Sequence, residues 1–147
     1  MPTRIDFAAA LETAGHHLAT GGPAALVAYL ADTFPHYSWV GIYWVEGSDL
    51  VLGPWRGPQA TEHTRIPVGT GICGAAAASG RSEVVDDVSA DPRYLACFAS
   101  TRSEIVVPIL RDGRVIGEID VDSDRPAAFT PADRRFLEAV AGLIARP

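Results

Sequence analysis

The segment IVVPILRDGRVIGEIDV, residues 105–121, decides the fold that the sequence predicts. Two β-favouring runs, Ile105–Leu110 and Val115–Val121, flank the dipeptide Asp112-Gly113, and an Asp-Gly turn between such runs is a strong signal for an antiparallel hairpin. In the second run apolar residues alternate with polar ones, and successive side chains of a strand point to opposite faces. We therefore expect Asp120 and Asp122 to share one face of a sheet.

The rest of the chain adds helices at both ends and more hairpin-linked strands. Asp6 predicts a helix over Phe7–Leu18, and Gly21-Gly22-Pro23 separates it from a second helix that ends near Phe34. The remaining predicted elements are strands at 38–45, 50–55, 65–68 and 83–85, a small-residue helix between the Gly-rich turn at 69–74 and Gly80, and a last helix capped at Thr130-Pro131. This order indicates an α+β fold with an antiparallel sheet of about six strands, in a single domain over residues 1–147.

Composition excludes several classes of function. The 147-residue chain has a net charge of -6, and all twelve of its basic residues are arginines. Without lysine it cannot form a Schiff base or a Walker-type phosphate loop, and an acidic chain is a poor binder of nucleic acid or anionic membranes.

The start of the chain is amphipathic rather than an apolar signal core, and no apolar run approaches the roughly 20 residues of a membrane helix. The sequence thus predicts a soluble cytoplasmic protein.

The two aspartates allow two interpretations. Residues 120 and 122 could belong to a solvated sheet face, which is common in antiparallel sheets. Aspartate is nevertheless a poor strand former, and like charges so close together repel each other. In a pocket, such carboxyls would raise one another's pKa and attract an ammonium group.

The two cysteines, Cys73 and Cys97, are the candidate nucleophiles. Cys73 lies in the first turn of its predicted helix, where the helix dipole favours a thiolate, although a lone cysteine is more often a small buried apolar residue. Cys97 lies in the long loop at 86–102, together with Arg93 and Arg102, whose guanidinium groups would favour its thiolate if they are close. The four histidines show no ligand spacing with the cysteines, so the sequence predicts no metal site.

Six segments together resemble the GAF-domain free methionine-(R)-sulfoxide reductases. They are WVGIY (39–43), LGPW (52–55), RIPVGTGICG (65–74), AC (96–97), SEIVVP (103–108) and GEIDVDS (117–123). The resemblance covers nearly the whole chain and implies a GAF-like sheet with the N- and C-terminal helices packed on one side. It also implies reduction of free L-methionine (R)-sulfoxide without a bound cofactor, by a homodimer.

The resemblance also implies a role for each cysteine. Cys97 would attack the sulfoxide and become a sulfenic acid. Cys73 would resolve it to a disulfide, which thioredoxin, itself reduced by NADPH through thioredoxin reductase, would then reduce. Relatives often carry a third cysteine just before the RIP segment, but here that stretch reads ATEHT, with His63 nearest the missing thiol. Recycling must therefore use Cys73, or an external thiol acting directly on the sulfenic acid.

Further site residues follow from the same resemblance. Glu104, Asp120 and Asp122 match carboxylates around the sulfoxide oxygen and the substrate amine. The aromatic side chains of Trp39 and Tyr43 would contact the substrate's side chain. The backbone N–H groups near Ile72 and Cys73 would bind its carboxylate. Two other functions remain open: a non-catalytic GAF sensor that binds a small molecule, and a thiol redox switch.

Overall fold

The computed structural model describes residues 5–96 and 98–146, which form one antiparallel sheet with helices on both of its faces. In chain order the elements are α1 (Phe7–Thr33), β1 (Trp39–Glu46), β2 (Asp49–Arg56), β3 (Arg65–Pro67), α2 (Gly71–Ser79), β4 (Glu83–Val85), β5 (Ser103–Arg111), β6 (Arg114–Ser123) and α3 (Pro131–Ile144). The strand order is β3-β2-β1-β6-β5-β4, and every neighbouring pair is antiparallel. The predicted α+β class, with an antiparallel sheet of about six strands, is confirmed.

β5 and β6 form the hairpin that the sequence predicts, and β6 lies in the middle of the sheet beside β1. Asp112 and Gly113 both have positive φ, 53° and 75°, which is the conformation of a type I′ turn. The ladder extends from Arg111 opposite Arg114 to Ser103 opposite Ser123. This register brings residues of β5 next to the polar face of β6.

The terminal helices begin and break where the sequence predicts. α1 is interrupted at Gly22, whose φ of 73° and ψ of -170° are not helical, so two helical segments meet at the expected Gly-Pro break. α3 begins with a capping box: the Thr130 hydroxyl accepts from the Asp133 N–H, and the Asp133 carboxylate accepts from the Thr130 N–H. The Tyr37 hydroxyl donates to Asp133 as well, at 2.8 Å, which joins the segment between α1 and β1 to the start of α3.

The two faces of the sheet bury different side chains. α1 and α3 cover one face, where an apolar core is formed by residues that include Leu26, Leu30, Ile42, Ile105, Ile119, Val121, Leu137 and Val140. The expected packing of the terminal helices on one side is confirmed. α2 and the loop after β4 cover the opposite face, with Tyr43, Leu50, Ile66, Ile72, Ala76 and Val106 among its buried residues. Within the described part of the chain, no helix is long and apolar enough to cross a membrane.

Candidate active site

Four carboxyl side chains lie buried on the α2 face of the sheet. β6 contributes Glu118, Asp120 and Asp122, which its two-residue period places on one face, and β5 contributes Glu104, the register partner of Asp122. Each of the four residues is at most 4% exposed. The expectation of a solvated sheet face at residues 120 and 122 is therefore wrong, because α2 and the following loop exclude water from it.

Burial dominates the electrostatics of this cluster. Loss of hydration raises the pKa of all four carboxyls, and the neighbouring Asp120 charge raises the pKa of Glu104, Glu118 and Asp122 further. The pKa of Asp120 rises less, because hydrogen bonds from Glu104 and Cys73 favour its charged form. Of the four carboxyls, Asp120 is therefore the one that loses its proton most readily.

Among the described residues, no side chain forms an ion pair with this cluster. The salt bridges found within residues 5–96 and 98–146 all involve other carboxylates, those of Asp32, Asp49, Glu83, Asp91, Asp133 and Glu138. Buried carboxylates are normally paired or coordinate a metal. A cluster of this kind therefore favours a ligand that brings its own positive charge.

Cys73 lies in the first turn of α2 and faces the four carboxyls. Its side chain is buried, and burial together with the charges of Asp120, Glu118, Glu104 and Asp122 raises its thiol pKa well above the usual value. The expectation that the helix N-terminus makes Cys73 a thiolate is wrong. Desolvation and the nearby negative charge outweigh the helix dipole, since both oppose the formation of a second anion.

The thiol and two of the carboxyls converge on a small cavity. The Cys73 sulfur, one oxygen of Glu104 and one oxygen of Asp120 lie within 4.8 Å of one another. The cavity has a volume of about 10 Å³ and is lined by Tyr43, Ile66, Ile72, Cys73, Leu95, Glu104 and Asp120. A space of this size holds about one water molecule.

The two predicted pocket aromatics lie on the same face of β1. Tyr43 lines the cavity, and its hydroxyl donates to the His63 carbonyl at 2.7 Å. Trp39 is the register partner of Asp122 and stacks against Trp55, with ring centroids 6.2 Å apart. Between them, Gly41 leaves room for the Trp39 ring, with which a Cβ at that position would collide. Glycine at this position therefore lets the indole lie across its own strand.

Cys97, the predicted nucleophile, lies outside the described residues, but the chain before it is anchored beside the cavity. The Nε2 atom of His63 lies 3.2 Å from the Ala96 carbonyl oxygen, a geometry in which the ring N–H donates. Leu95 lines the cavity. The Arg93 guanidinium, expected to favour the Cys97 thiolate, instead pairs with Glu83 and Asp91 at 3.0 and 2.6 Å.

Sequence reasoning missed two features of this site. Glu118 was not among the predicted site residues, although the alternation of β6 already places it on the same face as Asp120. The convergence of Cys73 with Glu104 and Asp120 could not be found from ligand spacing, because the three residues come from α2, β5 and β6. Their proximity depends on the strand register and on the packing of α2.

Comparisons with known proteins agree with this fold. A family model for the GAF domain matches residues 7–146. The chain is similar to the free methionine-R-sulfoxide reductase of Escherichia coli, with 38% identity over 110 residues, which cover 75% of this chain and 66% of that protein.

Solved structures give closer overall matches. The X-ray structure of a free methionine-R-sulfoxide reductase from Neisseria meningitidis in complex with its substrate has a TM-score of 0.89 and 37% identity, covering 99% of this chain and 92% of that one. A structure of the type II free methionine-R-sulfoxide reductase from Thermoplasma acidophilum has a TM-score of 0.81 and 41% identity, covering 92% of each chain.

Proposed function

Because the chain belongs to the GAF-domain free methionine-(R)-sulfoxide reductase family, we propose that it reduces free L-methionine (R)-sulfoxide to L-methionine. One observation carries the proposal. Among the described residues, none of the four buried carboxyls has an ion-pair partner, and two of them, Glu104 and Asp120, line a cavity next to the first turn of α2. This combination of charges complements a free amino acid, which carries both an ammonium and a carboxylate group.

The substrate binds through both of its charged groups. Asp120, whose pKa is the least raised of the four carboxyls, receives the ammonium group, with Asp122 beside it. The N–H groups of Ile72 and Cys73, in the first turn of α2, receive the carboxylate, since the Thr70 side chain makes no capping hydrogen bond there. A peptide-bound methionine sulfoxide lacks both charges and leaves these buried groups unpaired.

Two aromatic side chains and one carboxyl position the reacting end. Trp39 and Tyr43 pack against the substrate's side chain and methyl group. Glu104, kept protonated by burial and by Asp120 and Asp122, donates a hydrogen bond to the sulfoxide oxygen. A carboxyl whose pKa is raised by burial retains the proton that this hydrogen bond requires.

Cys97 carries out the oxygen transfer. Its thiolate attacks the sulfoxide sulfur, and over the whole step the oxygen passes to the Cys97 sulfur as the sulfur–oxygen bond of the sulfoxide breaks. The methionine sulfur gains two electrons, the Cys97 sulfur loses two, and the proton of the original thiol ends on the resulting sulfenic acid. The products are methionine and oxidised Cys97.

Recycling requires two further thiols. The raised pKa of Cys73 keeps it protonated, and the thiolate is the attacking form, so the surroundings of Cys73 oppose its predicted role as resolving cysteine. An external dithiol such as thioredoxin then reduces the sulfenic acid directly, leaving its own disulfide, the Cys97 thiol and water. NADPH supplies the electrons through thioredoxin reductase.

Substrate entry requires movement next to the cavity. A volume of about 10 Å³ accommodates one water molecule and not an amino acid. Leu95 lines the cavity, and the neighbouring Ala96 is fixed by the His63 side chain. The segment Tyr94–Ala96 is therefore the part that must shift for the substrate to reach Glu104 and Asp120.

Thioredoxin-coupled oxidation of NADPH tests the proposal. Free (R)-sulfoxide should be turned over, whereas free (S)-sulfoxide and a peptide-bound (R)-sulfoxide should not. Cys97→Ser should abolish turnover, and Cys73→Ser should retain it when thioredoxin is in excess. Absence of (R)-selective turnover in the wild-type protein, or its persistence in Cys97→Ser, would contradict the proposal and favour a sensor or a redox switch.

A further inference from the structure

No cationic side chain among the described residues pairs with the carboxyls around the cavity. Glu104, Glu118, Asp120 and Asp122 take part in none of the ion pairs found there, and the chain contains no lysine. Burying an unpaired carboxylate is expensive, so such a site either holds protons or binds a cation. An organic ammonium group is one such cation, and a metal ion is another.

We propose that, in the absence of substrate, the cavity binds one thiophilic divalent cation of the Zn²⁺ type through Cys73, Glu104 and Asp120. The donor atoms are one sulfur and two carboxylate oxygens, all within 4.8 Å of one another and all from buried residues. Zinc forms bonds of about 2.3 Å to sulfur and about 2.0–2.2 Å to oxygen, so small rotations of the carboxyl groups bring all three atoms to one ion.

Unpartnered oxygens around the same point support a ligand there. Oδ1 of Asp120, which lines the cavity, and Oδ1 of Asp122 are buried without a hydrogen-bond partner among the described residues. Both carboxyls lie close enough to Cys73 to affect its thiol electrostatically. Buried polar atoms are satisfied in the great majority of cases, so two exceptions in one cluster indicate a missing partner.

The size and chemistry of the cavity select the kind of cation. A volume of about 10 Å³ holds a single ion with almost no water. Magnesium prefers six oxygen ligands and keeps several waters, and calcium takes six to eight oxygens, so neither fits a small site with a thiolate ligand. Zinc and cobalt accept four ligands of mixed sulfur and oxygen type.

Binding of the ion releases protons and blocks the pocket. The Cys73 thiol becomes a thiolate as its sulfur–metal bond forms, and its proton goes to the solvent. The ion then occupies the position at Asp120 that receives the substrate ammonium group in the proposed function. Free zinc should therefore inhibit the enzyme by competing with its substrate, and this consequence, unlike the binding itself, rests on the proposed function.

Titration of the reduced, substrate-free protein with Co²⁺ tests the binding site. Ligation by sulfur gives a thiolate-to-cobalt charge-transfer band in the near ultraviolet. The wild-type protein should show this band with one Co²⁺ per chain, and calorimetry in two buffers of different ionisation enthalpy should show proton release. Cys73→Ser should lose the band, and both Cys73→Ser and Asp120→Asn should bind Co²⁺ at least about tenfold more weakly.

Two controls separate this site from other thiols and carboxylates. Cys97→Ser should keep the band, and Glu138→Gln, which removes a carboxylate from the exposed side of α3, should keep the wild-type affinity. A band that persists in Cys73→Ser, a band lost in Cys97→Ser, or wild-type protein without band and proton release would overturn the proposal. Because the titration involves no turnover, a protein that binds Co²⁺ but reduces no sulfoxide would contradict only the proposed function.

Discussion

The side chains that β6 sends to the two faces of the sheet are buried to a similar extent, yet they have opposite chemical character. On the helix-covered face, Ile119 and Val121 of β6 pack into an apolar core with α1 and α3. On the other face, the alternating residues Glu118, Asp120 and Asp122 of the same strand are equally buried. Burying apolar side chains stabilises a fold, whereas burying carboxyls without partners destabilises it. The comparison supports the proposal that the β6 side chains on the first face provide stability and that those on the second provide binding and catalysis.

The largest effect on stability should come from the helix-covered face. Leu137 is 0% exposed in the core between α3 and the sheet, and Leu137→Ala should lower the free energy of unfolding by about 3–5 kcal/mol, because it leaves a cavity. Urea unfolding measures this change. The kcat/KM of the remaining folded protein should not change, and a parallel loss of kcat/KM in protein still folded would contradict the division between the faces.

Asp120→Asn should have the converse effect. It should lower kcat/KM for the free sulfoxide by about 30- to 100-fold, because removing one partner from a buried charge pair costs roughly 2–3 kcal/mol. The free energy of unfolding should stay the same or rise, since the amide needs no counter-charge. Coupled kinetics and urea unfolding on the same preparation check both parts, and a variant that is less stable but fully active would contradict this interpretation of Asp120.

A smaller effect concerns the pH dependence of stability. The pKa of Glu118 is raised in the folded protein, mainly by burial, above the value of about 4.3 that it has when unfolded. Between these two pKa values the folded state binds more protons than the unfolded state, so stability falls as pH rises through that window. Glu118→Gln should remove this contribution, which amounts to at most about 1.4 kcal/mol per pH unit.

Urea unfolding at a series of pH values from 5 to about 9 measures this slope. Wild-type protein should lose stability with rising pH more steeply than Glu118→Gln does. Glu138→Gln provides the matched control, since it makes the same chemical change on the exposed side of α3 and should keep the wild-type slope. Equal slopes in wild-type protein and Glu118→Gln would show that Glu118 is not protonated in the fold.

The smallest expected effect is at the edge of the cavity. His63→Ala removes the donor to the Ala96 carbonyl, and one hydrogen bond contributes about 0.5–1.5 kcal/mol. We expect kcat/KM to fall by about two- to tenfold, chiefly in kcat, because the segment that precedes Cys97 loses its anchor. His63→Gln, whose amide group can still donate, should recover most of the loss; equal losses in both variants would argue against a positioning role.

The sequence predicted most of the fold because its signals are local. The Asp112-Gly113 turn, the Gly22 break and the Thr130 cap each act through the backbone of neighbouring residues. The two-residue period of β6 likewise predicted that Asp120 and Asp122 share a face. These features do not depend on how distant segments pack.

The site was less predictable because its properties arise from packing. The pKa of Cys73 depends on carboxyls from two strands, so the local helix dipole gave the wrong direction. The cluster around the cavity combines α2, β5 and β6, and only the strand register brings Glu104 beside Asp122. The roles of Cys97 and Cys73 came from a family resemblance, and they remain predictions.

The central claim is that the buried carboxyl face recognises the ammonium group of a free amino acid. The most direct measurement compares kcat/KM for free methionine (R)-sulfoxide and its N-acetylated form, in wild-type protein and in Asp120→Asn. The wild-type protein should prefer the free form by at least about 30-fold, from the loss of one buried charge pair, and the preference should nearly vanish in the variant. If the variant lowers both rates equally and keeps the preference, Asp120 does not bind the ammonium group and the claim is wrong.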